Sequence, residues 1–502
     1  FSVVDGQQRL TTITLFLCAI RDAFAGLDEQ DLAEGVHQLV ERKNRSNKNE
    51  FVLRTETSFP YLQEKILKFG EADLDNLPEL VEEKALKDAS ELLATKVSSL
   101  LEAVDTDASI TAGDKKATKV ERLTYLRESV LNLKVIFVKL ENEEDAYLIF
   151  ETLNTRGKDL AVTDLVKNYF TKLLRSKGSV DFVKIKWGLV LETIYESAAD
   201  ITSDAFLYHF WASRHESTPV KKLYSVLKKR VDAKNAKSYL DALTRDVEFY
   251  RAIHEPSVMW TKNERRVAES LRAIQVFRVV QPTPALLSLV RAYKDNKIRL
   301  SKLAEAVEAI ERFHFTFTAI TSSRSSGGIS GMYSSFARKL FEAADSNQAA
   351  MEIKFFIQKL RERRPSSEEV TLGFRDVVFT NSTTKQKPLV RYILRKFAER
   401  ESFKFTVDWD ELTIEHVAPQ ASIGVDEWTE DVVGQLGSLF LLDAKKNGAL
   451  ANKPFMEKKK ILALGAYSVP GAIAEADDWN PQAVRNHTDA MAVIAYNEIW
   501  TI

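Results

Sequence analysis

The chain has 502 residues, of which 45% are hydrophobic and 28% charged, with a formal net charge of −1 and one cysteine. The length predicts several domains, and the balanced charge excludes DNA binding through global charge, leaving only local basic patches. The single cysteine excludes a disulfide framework and favours a reducing, cytoplasmic compartment, and no apolar run is long enough to span a membrane.

The first predicted element is a polar junction that opens a helix. Its five residues are Asp5, Gly6, Gln7, Gln8 and Arg9, and apolar residues at helical spacing continue over 10–25. A helix N-terminus attracts anions, and an arginine can grip phosphate with two hydrogen bonds. A plainer interpretation is that Asp5 caps the helix and the other residues are solvated. Cys18 lies in the apolar part of this helix, where we expect a buried, inert thiol.

The next predicted elements alternate between loops and regular structure. Residues 26–60 are predicted as a loop with a basic element, residues 61–102 as helical, and residues 105–118 as a flexible insertion. Residues 131–140 are apolar and β-branched, which predicts a buried strand.

A second polar turn follows that strand. Asn154 and Arg156 project from it as a polar clamp in the functional interpretation, and Gly157 fits the position after a helix C-terminus. The structural interpretation is a corner between two helices, held by capping. Residues 163–312 then carry a helical apolar pattern, which predicts a helical middle domain.

Residues 351–404 are locally basic, with thirteen Lys or Arg against seven Asp or Glu. This segment is the best candidate for contact with a DNA backbone, although a charged helical face is an equal alternative. The candidate side chains are Arg361, Arg363, Arg364, Lys385, Lys387 and Arg391.

The strongest catalytic signal lies near the carboxyl end. A strand over 412–417 ends at a proline turn, a second strand is predicted over 436–442, and a helix follows from about residue 452. This order is typical of ββα-metal (HNH) nucleases. His416 is the predicted general base, and Glu415 and Asn447 are the predicted ligands of Mg²⁺ or another divalent cation. Adjacent strand residues point to opposite sides, so a bend is expected at Glu415 and His416. A satisfied structural histidine is the alternative for His416.

Three segments together resemble the GmrSD-type family of type IV restriction enzymes. They are Val-Val-Asp-Gly-Gln-Gln-Arg-Leu-Thr-Thr at the start, Phe-Glu-Thr-Leu-Asn-Thr-Arg-Gly at 150–157, and Glu-His-Val-Ala-Pro-Gln at 415–420 with Leu-Gly-Ser-Leu and Asn-Lys-Pro-Phe-Met-Glu-Lys-Lys downstream. The last of these adds Lys458 and Lys459 to the DNA-contacting candidates. Where the family usually has Asn after the glycine of Leu-Gly-Asn-Leu, this chain has Ser438, which puts the nuclease activity in some doubt.

The resemblance implies a predominantly helical α+β fold with three domains. These are a ParB/sulfiredoxin-like nucleotide-binding domain at 1–180, truncated at its start, a helical coupling domain at 181–400, and an HNH-like nuclease domain at 401–502. The nucleotide pocket would combine the two polar turns, with catalytic roles for Asp5, Gln8 and Arg9.

The implied function is an NTP-dependent DNA endonuclease of phage defence. Its expected partners are a nucleotide and double-stranded, modified phage DNA, with homodimer formation left open. The alternative is a nucleotide-dependent DNA-binding regulator whose HNH module has decayed, and a protein–protein scaffold is a third reading.

Overall fold

The computed structural model describes residue 3 and residues 6–55, 58–70, 81–137, 162–174, 180–322, 328–403, 408–464 and 469–502. It is predominantly helical with a few short strands, which confirms the expected α+β class. The chain divides into two compact units, Phe1–Glu192 and Thr193–Ile502. The domain boundaries at 180 and 400 stay predictions.

The first unit is built around the long helix α1. Its elements are α1 (Gln7–Ala25), α2 (Gln30–His37), β1 (Glu41–Lys43), β2 (Asn49–Phe51), a π-helical turn (Leu62–Leu67), α3 (Val81–Thr106), α4 (Lys115–Leu131), α5 (Val162–Leu173) and α6 (Val180–Tyr195), the last of which crosses the unit boundary. Ile20 and Phe24 of α1 are fully buried. Cys18 is 2% exposed, and burial raises the pKa of its thiol to about 11, which confirms an inert core residue.

The prediction of a loop over 26–60 is wrong for much of that range. Helix α2 buries Ala33 and Val36, and β1 pairs with β2 in an antiparallel hairpin. The side-chain oxygen of Asn44 accepts hydrogen bonds from the backbone N–H groups of two residues in the intervening turn. Polar residues therefore close a hairpin here, a local pairing that their composition alone disguised. Likewise, α4 already begins at Lys115, so the predicted insertion over 105–118 is shorter than expected.

The buried strand predicted over 131–140 is not present in its described part. Residues 133–137 belong to no strand, and Val135 and Ile136 are 74% and 95% exposed. An apolar, β-branched run forms a strand only when another edge accepts its backbone hydrogen bonds. Residues 133–137 lie in no strand of the described part of the chain, and residues 138–140 lie outside that part.

The second unit begins with a large helical region, which confirms the helical pattern predicted through residue 312. Its helices are α7 (Ser203–Ala212), α8 (Val220–Arg230), α9 (Ala236–His254), α10 (Arg265–Val276), α11 (Thr283–Lys294), α12 (Leu300–His314), α13 (Ile329–Glu342), α14 (Ser346–Glu362), α15 (Ser367–Arg375) and α16 (Lys387–Arg400). Residues 323–327, within a stretch rich in Ser and Gly at 321–331, lie outside the described part of the chain.

A buried charge cluster joins α9 to α11. Asp246 is fully buried and accepts hydrogen bonds from Arg291 Nε at 2.9 Å, Arg291 Nη2 at 2.6 Å and Arg214 Nη2 at 2.7 Å. Burial alone would raise the pKa of Asp246, but the two guanidinium groups hold it below its ordinary value. The carboxylate is therefore charged and fully paired inside the helical core.

The carboxyl-terminal part of this unit is a small strand module. It contains β3 (Leu412–His416), α17 (Glu430–Gly434), β4 (Leu439–Asp443), α18 (Ala444–Leu450), α19 (Phe455–Leu464), α20 (Gly471–Glu475) and α21 (Pro481–Ile494). Strand β4 begins three residues later than predicted, because Leu436–Ser438 forms a 3₁₀ turn. Across the described residues of the whole chain, no helix is long and apolar enough to cross a membrane.

Close packing explains the glycine of Leu-Gly-Ser-Leu. A Cβ atom on Gly437 would lie 2.5 Å from the carbonyl oxygen of Val484 and 2.6 Å from Thr488 Oγ1, both in α21. Near the end of the chain, Trp479 packs on this module through Phe455, with ring centres 5.7 Å apart, whereas Trp500 stacks on Phe315 of the helical region with ring centres 3.7 Å apart.

Candidate functional site

The site is built on the antiparallel pairing of β3 with β4. Leu412 pairs with Asp443 and His416 with Leu439, so His416 occupies the last position of its strand. The chain then leaves the sheet and turns at Pro419. A histidine at a strand end, beside a turn, is held by the sheet yet lies next to loop residues that can shape a pocket.

The hydrogen bonds of His416 define which ring nitrogen is basic. Its Nε2 lies 2.8 Å from the carbonyl oxygen of Phe379, and its Nδ1 lies 3.4 Å from Gln420 Nε2. A carbonyl oxygen can only accept, so Nε2 must carry the hydrogen and the neutral ring keeps its lone pair on Nδ1. The orientation of Gln420 agrees, because its Oε1 accepts the backbone N–H of Asn381 at 2.8 Å.

The environment of His416 favours the neutral ring. The residue is 6% exposed, and its pKa is lowered mainly by burial and further by the charge of Lys458, against the opposing effect of the Phe379 carbonyl. A neutral imidazole with a lone pair on Nδ1 is the form that can accept a proton. The 3.4 Å contact with Gln420 is at the limit of a hydrogen bond, so a water molecule could replace it.

The side chains of Glu415 and His416 contact different residues, because successive side chains of a strand lie on opposite faces. Its Oε1 lies 2.6 Å from Lys458 Nζ in α19, and the same ammonium donates to the backbone oxygen of His416 at 2.6 Å. Glu415 and Lys458 are 4% and 2% exposed. Burial raises the pKa of Glu415, and the Lys458 ammonium opposes that rise. The pair is a buried ion pair that fixes α19 to the end of β3.

Asn447 lies close to the same strand and braces it. Its Nδ2 donates to Thr413 Oγ1 at 2.9 Å and to the carbonyl oxygen of Ile414 at 3.2 Å. The Thr413 hydroxyl in turn donates to the carbonyl oxygen of Leu442 in β4 at 3.0 Å. The amide of Asn447 therefore ties α18 to the centre of the two-stranded sheet.

Ser438, at the position where the family resemblance led us to expect Asn, also supports the loop after His416. Its Oγ accepts the backbone N–H of Ala418 at 3.3 Å, and its carbonyl oxygen accepts that of Val417 at 2.8 Å. Ser438 is fully buried. Serine thus supplies side-chain and backbone support to the histidine-bearing segment.

The described residues do not fit a divalent-cation site. Glu415, one predicted ligand, is already paired with the Lys458 ammonium, and the misfit lies there. The hydrogen bonds that Asn447, the other predicted ligand, donates through Nδ2 do not engage Oδ1, the atom that would bind a cation. Within the described part of the chain, no group of three or more His, Cys, Asp or Glu side chains is placed to hold a metal ion. The arrangement instead resembles a proton-accepting histidine supported by a buried ion pair.

The predicted nucleotide site is described only in part. Helix α1 begins at Gln7, directly after Gly6, whose φ of 84° lies in the left-handed region that favours glycine. The side chain of Gln7 donates to the carbonyl oxygen of Val3 at 2.7 Å, and Gln8 and Arg9 are exposed on the first turn. Asp5 and the second polar turn, with Asn154, Arg156 and Gly157, lie outside the described residues.

Most of the eight predicted DNA contacts have local structural partners. Backbone carbonyl groups accept hydrogen bonds from Arg361, Arg364, Arg391 and Lys459, and Lys458 is buried in the ion pair with Glu415. The remaining three, Arg363, Lys385 and Lys387, are exposed.

One of these exposed cations, Lys387, lies close to a residue that contacts the candidate base. Lys387 Nζ lies 5.7 Å from the ring centre of Phe379, the residue whose carbonyl oxygen holds His416. Lys385 is two positions earlier on the same segment. Lys387 is thus linked to His416 through Phe379, and Lys385 is its near neighbour in the sequence.

Two parts of the chain match family models. Residues 1–171 match the model of the GmrSD restriction endonuclease N-terminal domain, and residues 364–494 match that of the GmrSD restriction endonuclease C-terminal domain. Together the two matches cover more than half of the 502 residues and follow the order of the domain names. No curated protein matches the chain.

Proposed function

Because the chain belongs to the GmrSD family of restriction endonucleases, we propose that it is a nucleotide-dependent nuclease that cuts modified double-stranded DNA with His416 as general base. One observation carries this proposal. The bond between His416 Nε2 and the carbonyl oxygen of Phe379 leaves Nδ1 as the proton acceptor, in a ring that burial keeps neutral.

The chemistry that follows is hydrolysis of a phosphodiester. A water molecule that displaces the Gln420 amide gives a proton to His416 Nδ1, and its oxygen attacks phosphorus. The bond from phosphorus to one sugar oxygen then breaks, and that oxygen takes a proton from solvent. The Phe379 carbonyl keeps the imidazole oriented throughout, which lowers the entropic cost of the step.

Lys385 and Lys387 are the proposed contacts to the DNA backbone. Both are exposed, and both lie on the segment that follows Phe379. Ammonium groups at this position would bring a phosphate towards His416 without reading its base sequence. In this proposal the two lysines do not recognise the modified base, and other residues of the protein do so.

The nucleotide is proposed to bind at the start of α1. The 19-residue helix directs its N-terminal N–H groups and positive dipole end towards the junction at Gly6, where Gln8 and Arg9 are exposed. Arg9 would neutralise phosphate charge, Gln8 would hold phosphate or water, and Asp5 would orient that water. Phosphate release should fall with Arg9→Ala and not with Arg42→Ala, a change at an exposed hairpin arginine. An equal loss of phosphate release in Arg9→Ala and Arg42→Ala would contradict the proposed nucleotide site at the start of α1.

Mg²⁺ dependence remains a proposal that comes from the family resemblance, and no catalytic step above depends on it. Mg²⁺ dependence predicts that EDTA stops DNA cutting and that added Mg²⁺ restores it, whereas the occupied Glu415 carboxylate predicts cutting that continues in EDTA. DNA cutting that continues in excess EDTA would refute the proposed dependence on a divalent cation.

A second candidate function is DNA binding and regulation without cutting. The observation that favours it is the Glu415–Lys458 pair, which occupies a carboxylate expected to bind a metal ion. Its prediction is nucleotide-dependent DNA binding by the wild-type protein with no nick in any substrate.

A nicking assay separates the two candidates. Supercoiled plasmid carrying phage-type base modifications is incubated with NTP, Mg²⁺ and either wild type, His416→Asn or His209→Asn, while a gel shift measures binding. His209 is a matched control because burial also lowers its pKa, to about 4, and it lies in the helical region. Nicking by wild type and His209→Asn alone supports the nuclease. Binding without nicking supports the regulator, and equal nicking by all three refutes the role of His416.

A further inference from the structure

The segment Val378–Thr383 lies outside the strand module yet determines the state of His416. Its Phe379 carbonyl oxygen accepts from His416 Nε2, and its Asn381 N–H holds the Gln420 side chain that faces Nδ1. The Phe379 ring also stacks on the imidazole, with ring centres 5.7 Å apart and planes at 26°. Both ring nitrogens of His416 thus depend, directly or through Gln420, on where this segment lies.

Three hydroxyl groups anchor the polar end of the segment to one carboxylate oxygen. Glu430 Oε1 accepts from Thr380 Oγ1 at 2.7 Å, from Thr383 Oγ1 at 2.8 Å and from Ser382 Oγ. Glu430 is a half-buried residue at the start of α17, where a carboxylate is also favoured by the helix dipole. Three hydroxyl donors converging on one oxygen are best satisfied by an ionised carboxylate, so these hydrogen bonds lower the pKa of Glu430 to about 2.

The other end of α17 anchors the start of the segment. Phe379 N donates to the carbonyl oxygen of Gly434 at 2.9 Å, and Val378 pairs with Gln435 as an isolated β-bridge. A Cβ on Gly434 would lie 2.5 Å from Val378 Cγ1, so only glycine allows this approach. Helix α17 therefore holds the segment at both ends, and Phe379 lies between the two anchors.

We propose that Glu430 is a positioning residue for His416. By gathering the hydroxyls of Thr380, Ser382 and Thr383, it fixes the Phe379 carbonyl oxygen, and that oxygen keeps the imidazole hydrogen on Nε2 and the lone pair on Nδ1. This inference rests on the proposed function in assigning a catalytic purpose to the orientation, whereas the structural link between Glu430 and His416 stands on the contacts alone. Partners that orient a reacting ligand at one remove commonly change activity by about 10- to 100-fold when they are removed.

The test compares Glu430→Ala, Glu430→Gln and Ser382→Ala with the control Glu427→Ala. Glu427 is an exposed glutamate three positions earlier, and its carboxylate has no hydrogen bond or ion pair with any described residue. The first readout is the ¹⁵N spectrum of the His416 imidazole at pH 8, which distinguishes the two neutral tautomers. The second is the DNA-cutting rate of bound substrate, with DNA affinity measured separately.

The expected result is a mixed tautomer population in Glu430→Ala, with a cutting rate about tenfold or more below wild type and DNA affinity within twofold. Glu430→Gln keeps an oxygen that accepts hydrogen bonds from the hydroxyls, so its tautomer population and cutting rate should lie between those of Glu430→Ala and wild type. Ser382→Ala should change both quantities less than Glu430→Ala does. Glu427→Ala should match wild type. A pure Nε2–H tautomer in both Glu430→Ala and Ser382→Ala would overturn the proposal.

The design distinguishes this proposal from the nuclease assignment. If His416→Asn cuts as fast as wild type, the assigned function fails while the tautomer shift in Glu430→Ala still supports the positioning link. If His416→Asn is inactive and the tautomer is unchanged in every Glu430 and Ser382 variant, the positioning proposal alone fails. Should Glu430→Ala fail to fold, Ser382→Ala decides, because it removes one donor and keeps the carboxylate.

Discussion

Replacing Lys458 by methionine should destabilise the strand module strongly. The change keeps the length of the side chain but removes the ammonium that contacts Glu415 Oε1 and the His416 carbonyl oxygen, each at 2.6 Å. Both members of the ion pair are nearly inaccessible to water, at 2% and 4% exposure. The substitution therefore leaves a carboxylate and a carbonyl oxygen without their donor inside the module.

The expected loss is about 3–5 kcal/mol at pH 8, the usual effect of removing one partner of a buried pair. Burial already raises the pKa of Glu415 above its ordinary value of 4.5, and Lys458 opposes that rise. Without Lys458 the pKa rises further, so the native state binds more protons than the unfolded chain from 4.5 up to the new value. The free energy of unfolding then falls as pH increases through that range, and the loss relative to wild type is smallest near pH 4.5.

Urea unfolding followed by tryptophan fluorescence at pH 5 and pH 8 measures the effect, since Trp479 packs in the core of the same module. The double variant Glu415→Leu/Lys458→Met should regain most of the lost stability, because it removes the unpaired charge as well. A loss below about 1 kcal/mol that does not depend on pH would refute the buried ion pair.

Three further predictions follow from the structure. Gly437→Ala should lower the free energy of unfolding, measured with urea, by about 1–3 kcal/mol. The new Cβ atom would lie 2.5–2.6 Å from a backbone and a side-chain oxygen atom of α21. Asp246→Asn should lower the free energy of unfolding by about 3–5 kcal/mol at pH 7, because it leaves the buried guanidinium of Arg291 and the half-buried one of Arg214 short of a charge. The pKa of Asp246 in the folded protein lies below its ordinary value of 3.8. The difference in free energy of unfolding between wild type and variant is therefore fully present above pH 3.8, and it shrinks as the pH falls through the pKa of the folded protein. The double variant Lys385→Ala/Lys387→Ala should make the slope of log DNA affinity against log salt concentration shallower, by the amount expected for the loss of about two phosphate contacts.

Each of these predictions has a matched comparison. Gly448→Ala, in α18, meets nothing within 4 Å and should be neutral or slightly stabilising, so equal losses at the two glycines would contradict the packing argument. Asp241→Asn changes an exposed carboxylate of the same helix and should cost little, and a similar loss at both aspartates would count against the buried cluster. Lys354→Ala/Lys359→Ala, on exposed positions of α14, should leave the salt slope unchanged.

The sequence predicted those elements whose determinants are local. The apolar spacing over 10–25 predicted α1, and the order of strands, turn and helix near His416 was confirmed because alternating apolar residues and a proline turn act within a few positions. The strand predicted over 131–140 is wrong for residues 131–137, the described part of that run, since a strand depends on a partner elsewhere in the chain. The hairpin at 41–51 was missed, because Asn44 closes its turn through side-chain hydrogen bonds that composition does not reveal.

The candidate site divides in the same way. The motif drew attention to His416, Glu415 and Lys458, but it gave no sign that Lys458 would be the cation bound to Glu415. The partner of His416 Nε2 is a backbone oxygen 37 positions away, and a backbone atom has no residue signature. Glu430 was equally hidden, because its signal is three hydroxyl residues at 380–383 whose polar character is typical of an ordinary solvated loop.

The central claim is that His416 Nδ1 takes the proton from the attacking water, and single-turnover cutting of pre-bound modified DNA tests it most directly. The account predicts that His416→Asn lowers this rate by about 10²- to 10⁴-fold while DNA affinity stays within twofold of wild type. A His416→Asn protein that cuts bound DNA at the wild-type rate would contradict it.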